Sequence, residues 1–171
     1  MDISFNWLIA FLLLSFQLSP TNKELSPILS TSGAAIQTKE LTQERQAIWV
    51  ATNQQRARHR LAPLKTESRL MQAAQAYADL MAAREQISHT IGGLTLAQKA
   101  EAVGYAFRQL SENIALNTRL DGSFVVQEQW MKSKGHQKNL LATTSTDIGI
   151  GIAGPSKQNR YYYCQLFGLP R

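Results

Sequence analysis

At 171 residues the chain is long enough for one domain with a real core and too short for two comfortable ones. A hydrophobic content of 44% against 18% charged excludes a disordered chain. The formal charge is +6, and from Leu41 onward 16 Lys and Arg face 9 Asp and Glu, so the charge favours anionic partners such as phospholipid, acidic glycan or nucleic acid. A single cysteine, Cys164, excludes an intramolecular disulfide. Its setting among the aromatic and β-prone residues 161–167 reads as a buried, inert strand position.

Residues 7–16 form an apolar run, the length of a signal-peptide core and well short of the ~20 residues a membrane-spanning helix needs. Residues 1–20 are therefore expected to be a signal peptide or an N-terminal anchor, although Asp2 and the missing Ala-x-Ala site depart from the usual pattern. Residues 21–40, rich in Ser and Thr with Gly and Pro, read as a flexible linker, which leaves 41–171 as the folded domain. Thr42 is the expected N-cap of a helix that Pro63 stops. Its end carries the densest basic group, Arg56, Arg58, His59 and Arg60, which reads as a solvated helix end. A stronger helix over 67–85 repeats Leu70, Ala73, Ala74, Tyr77, Leu80 and Met81 at three- and four-residue steps. A shorter one over 95–103 stops at Gly104. Residues 110–116 are extended, 124–132 helical, and 133–135 break that helix before His136 starts a fresh turn. In 147–153 isoleucine recurs at every second position, and with 160–167 this predicts a terminal antiparallel hairpin. Helices first and a hairpin last define an α+β domain.

Of three histidines, His59 belongs to the basic helix end, while His89 and His136 sit in short loops or turn starts beside Ser or Gly. Glu112 lies between them in an apolar stretch, where a carboxylate must be paired, hydrogen-bonded or protonated. Two imidazoles and a carboxylate can hold a divalent metal, form an acid–base pair, or make a structural hydrogen-bond network. Their separations of 23 and 24 residues match no local metal motif. Asn113 and Asn139 read as residues that satisfy nearby backbone, and Trp130 as core.

The order Asn53-x-x-Arg56, Leu61-x-Pro63-Leu64, Ser88-His89, Gly104-Tyr105, Ser111-Glu112-Asn113-Ile114-Ala115, Trp130-x-x-Ser133-x-Gly135-His136-x-x-Asn139-Leu140-Leu141 and Ile148-Gly149-Ile150-Gly151 resembles the CAP superfamily, in its bacterial SCP-like branch. The resemblance implies an α-β-α sandwich with a three-stranded antiparallel sheet. It also implies a cleft of two His and two Glu, the His often holding a divalent metal such as Zn2+. His89 and His136 match the two histidines and Glu112 the first glutamate. Ser133 stands where the second glutamate usually lies, and Glu128 is half a helical turn off that face. The cleft expected here therefore comprises His89 and His136 as metal ligands with Glu112, Ser133 and Asn113 around them; Glu112 is the one catalytic candidate. The expected function is that of an exported binding module, secreted or held in the cell envelope, for a lipid, cell-wall glycan or protein. A metal-dependent protease or esterase using the same cleft is the alternative. Nucleic acid is disfavoured by the export segment and by the lack of an aromatic-basic groove.

Overall fold

A computed structural model describes residues 25–171; residues 1–20, expected to be a signal peptide or an N-terminal anchor, lie outside them. Sheet, core and site all lie in the compact unit Ile36–Arg171. Helix α1 runs Leu25–Arg58 and so takes in most of the stretch that composition assigns to a linker. The Ser and Thr content there weakens a helix without breaking it, and Pro27 falls in the first turn, where its missing N–H costs nothing. Thr42 is consequently not a cap: it lies inside α1, and its hydroxyl donates 2.9 Å to the Thr38 carbonyl.

Next come a two-residue strand, β1 (Lys65–Thr66), and α2 (Ser68–Arg84). Helix α2 begins where Glu67 turns its carboxylate back onto the Leu70 N–H, 2.8 Å away, and ends at Glu85 in the left-handed region. A 3-10 turn (Ile91–Gly93) and α3 (Leu96–Glu101) follow. Thr95 and Gln98 cap α3 reciprocally. Strand β2 (Phe107–Asn117) leads to a single helical turn, α4 (Gly122–Phe124), which widens into π-helical turns over Val125–Trp130. Helix α5 (Lys134–Leu140), β3 (Asp147–Ala153) and β4 (Tyr161–Pro170) complete the chain. The helix break falls at Met131 to Ser133, two residues earlier than the glycine suggests. Gly135 sits inside α5 and needs no positive φ.

The sheet order is β1-β3-β4-β2. Strands β3, β4 and β2 are the antiparallel set expected, and β1 adds a short parallel fourth strand beside β3 through Lys65 and Thr66. Both faces are covered, which gives the three-layer α-β-α arrangement. Alternation along β4 sends Tyr162, Cys164 and Leu166 toward α2 and α3, and Tyr163 and Phe167 toward α1, the π-helical turns and α5. In β3 the isoleucines Ile148, Ile150 and Ile152 all enter the second cluster, while Gly149 and Gly151 face α2. A Cβ on Gly149 would lie 2.1 Å from the Leu70 carbonyl, and one on Gly151 2.2 Å from that of Ala74. The glycines allow helix and strand to meet backbone to backbone.

The Asn-x-x-Arg motif locks α1 to the rest. Asn53 accepts from the Leu64 N–H at 2.8 Å and donates to the Leu64 carbonyl at 3.1 Å, as a paired strand would. Arg56 is buried and donates to the carbonyls of Ala62, Leu140 and Ala142 at 2.8, 3.0 and 2.8 Å. It thus leaves the basic group predicted at the helix end and instead holds the C-terminal end of α5, where unpaired carbonyls favour a cation.

Candidate functional site

The site is built on β2, the last strand of the sheet, and the elements that close over its outer edge. Three outward carbonyls of β2 are taken by side chains: Glu112 O by Asn139 Nδ2 at 3.0 Å, Ile114 O by Trp130 Nε1 at 3.1 Å, and Leu116 O by Gln129 Nε2 at 3.4 Å. The π-helical turns and α5 are thereby tied to an edge that would otherwise be open. Asn113 extends this network. It accepts from Asn139 at 3.0 Å and donates to the His136 carbonyl at 3.1 Å and to Gln165 Oε1 at 3.3 Å. Gln165 in turn donates to Thr52 on α1 at 2.9 Å. Asn113 and Asn139 are therefore structural, as read from the sequence, and their effect is to place α5 and with it His136. Trp130 is buried core.

On the opposite face of β2, Glu112 points toward α2 and α3. Its side chain is 3% exposed, and both oxygens are engaged. Oε1 lies 2.7 Å from His89 Nδ1; Oε2 lies 2.5 Å from Lys99 Nζ and 3.8 Å from the Cys164 thiol. His89, with its side chain 54% exposed, sits in the loop after α2. That loop is held by Tyr77, whose hydroxyl donates to the Ser88 carbonyl at 2.6 Å and accepts from the Ile91 N–H at 3.1 Å. The structure therefore joins His89 to Glu112 as the sequence suggests. His136 is half-buried on α5. Burial, and after it the proximity of His89, holds the His136 imidazole below the usual 6.5, toward the neutral form. Among the described residues no group of three or more His, Cys, Asp or Glu side chains is placed to hold a metal ion.

Ser133 is the N-cap residue of α5, and its hydroxyl makes no capping bond. Glu128 is turned to solvent, where it pairs with Lys132, and so does not stand in for a second cleft carboxylate. Cys164 is fully buried, and burial pushes its thiol well above the usual range, so it is protonated and inert.

The residue that sequence reasoning missed is Lys99. A lysine with its side chain only 2% exposed is rare unless paired, and here it is the direct partner of Glu112. The signal was present: Leu96, Lys99 and Ala100 share one face of α3, so the lysine interrupts an apolar stripe.

A three-layer α-β-α sandwich whose edge strand carries a buried glutamate bonded to a loop histidine defines the class of small domains to which this chain belongs. Residues 50–167 match the CAP, or Cysteine-rich secretory protein, family, and the chain belongs to that family. It is 33% identical over 129 residues to the Uncharacterized membrane protein YlbC of Bacillus subtilis, a match covering 75% of this chain and 35% of that protein. The chain spans about a third of the length of that curated relative. Among solved structures it resembles an extracellular SCP-domain protein of Bacillus anthracis, with a TM-score of 0.67 and 30% identity over 74% of this chain and 40% of the other. An outer surface protein of Borrelia burgdorferi shares the fold at a TM-score of 0.69 and 22% identity, covering 75% of this chain and 94% of that one. No helix among the described residues is long and apolar enough to cross a membrane.

Proposed function

We propose that this CAP domain is an exported binding module rather than a hydrolase, and that its ligand is an acidic glycan. The observation that carries the reading is the state of Glu112. A general base must be within reach of the water whose proton it takes, and here the Glu112 side chain is 3% exposed with Lys99 and His89 held against its two oxygens. Ser133, at the other glutamate position, brings no carboxylate. The similar Bacillus anthracis protein is extracellular, which supports export.

The binding surface proposed is the groove of about 460 Å³ between α5 and the first half of β2, lined in part by Gln109, Ser111, Lys134, Gln137, Lys138 and Thr144. Its lining holds two ammonium groups, several hydroxyls and amides, and no carboxylate. That chemistry suits a ligand with many hydroxyls and negative charge. A divalent cation such as Zn2+ fits the cleft only as far as two imidazoles, His89 and His136, can hold it. Bound there, it would supply positive charge for a ligand oxygen.

Retention of the full chain on polygalacturonate at low salt, set against neutral dextran, tests the glycan reading. Selective retention that Lys134→Glu with Lys138→Glu abolishes is the expected result; equal behaviour on both polymers sinks it. Zinc titration by calorimetry on the same chain should give one-to-one binding that both His89→Ala and His136→Ala remove. It should also weaken on going from pH ~7.5 to ~5.5, because only neutral imidazoles ligate. Hydrolysis of ester or peptide substrates that disappears in Glu112→Gln would establish the hydrolase instead.

A further inference from the structure

We propose that Lys99 is the positioning residue of the cleft: by holding Glu112 it fixes His89 as the Nδ1–H tautomer and leaves Nε2 as the ring's free acceptor. The tautomer is independent of whether the cleft binds metal; only the zinc measurement below rests on the function just proposed.

An ammonium has three donors and no acceptor, and all three directions are occupied. Lys99 Nζ lies 2.5 Å from Glu112 Oε2, 2.9 Å from the His89 carbonyl and 3.1 Å from the centre of the Tyr77 ring. The last is a cation–π contact in a dry setting, where such contacts are strongest. Helix α3 carries the lysine, and its start is fixed by the Thr95–Gln98 capping box. The ammonium is thus held from its own helix, from α2 and from the His89 loop.

Two of these contacts act on the same hydrogen bond. One fixes the backbone of His89, the other the carboxylate that His89 faces. With Oε2 engaged by Lys99, Oε1 is the oxygen left for His89 Nδ1, at 2.7 Å. A carboxylate only accepts, so Nδ1 must carry the proton. The Nε2 lone pair of a ring 54% exposed is then left available. This is the arrangement by which a carboxylate behind a histidine orients it for a ligand, here with a built-in cation directing the carboxylate.

Glu112→Gln tests the assignment with little change in shape. Lys99 can only donate, so it takes the amide oxygen and turns the NH2 toward His89. Nδ1 must then accept, and the ring switches to the Nε2–H tautomer. Two-bond proton–nitrogen NMR of the full chain near pH ~8, where imidazoles are neutral, reads the tautomer directly. The expected pattern is Nδ1–H in the wild type and in Lys99→Arg, Nε2–H in Glu112→Gln, and a mixture in Glu112→Gln with Lys99→Met, where the amide is free to turn. An unchanged tautomer in Glu112→Gln overturns the proposal, as does a complete switch in the double variant. Should the double variant fail to fold, Glu112→Gln alone decides, because an amide that Lys99 does not direct is free to turn and would leave a mixture rather than a complete switch. Zinc affinity should fall about tenfold to a hundredfold in Glu112→Gln. A wild-type chain that binds no zinc removes the metal reading, while the tautomer pattern still decides the role of Lys99.

Discussion

Asn53 and Glu112 are both buried or half-buried polar side chains with every strong contact inside the protein, yet they fail differently when removed. Asn53→Ala strands the Leu64 N–H, which loses its partner at 2.8 Å, while the Leu64 carbonyl keeps the Trp49 indole N–H at 3.1 Å. A loss of about 1–3 kcal/mol is expected, read as a lower denaturation midpoint at unchanged slope. Glu112→Ala leaves Lys99 as an unpaired buried cation, and that costs about 3–5 kcal/mol. Glu112→Gln with Lys99→Met should be less destabilised than the two single variants added together, because each alone orphans the other's partner. Simple additivity in a double-mutant cycle would mean that the pair at 2.5 Å is not coupled.

At the scale of elements, the glycines divide by what lies opposite them. Gly151 faces the Ala74 carbonyl, so Gly151→Ala must push α2 off β3 and should cost about 3 kcal/mol, the upper end for overpacking. Gly135 has nothing within 4 Å of where a Cβ would go and lies in helical backbone. Gly135→Ala should stabilise by up to about 1 kcal/mol through helix propensity. Thermal denaturation of the two variants should move the melting temperature in opposite directions. The same reasoning explains why the break does not extend through 133–135 as the sequence suggests: glycine is permissive, but permission is not a requirement, and the turn is made at Met131 to Ser133 instead.

Over the whole molecule, alkaline pH probes the core through Tyr163. Its hydroxyl donates to the Arg119 carbonyl at 2.8 Å and accepts from the Asp121 N–H at 3.1 Å. Burial pushes the phenol up to about 12, from an ordinary value near 10. The native chain therefore holds this proton after the unfolded chain has released it. The contribution to stability is fully present below pH ~10 and is lost as pH rises from there toward 12. Tyr163→Phe should flatten the fall in melting temperature over that window, at a cost of about 1 kcal/mol for the lost hydrogen bonds at neutral pH. An unchanged slope would show that the phenol is not protected. Burial, and after it the hydrogen bond to Asp147 at 2.8 Å, pushes the Tyr105 phenol in the same direction.

Periodicity and motif order were enough to place α2, the β3–β4 hairpin, the α-β-α class and the family, because those features depend on local pattern and on residues close in sequence. They also named His89, Glu112, His136 and Asn113. What they could not supply was partnership. Arg56 reads as a surface cation until α5, some eighty residues away, brings its carbonyls to it. Lys99 reads as one charge among many until α3 folds its apolar face onto the sheet. A buried charge is defined by what the tertiary structure sets opposite it: the sequence says that Glu112 needs a partner, and only the fold supplies Lys99 and His89 as those partners.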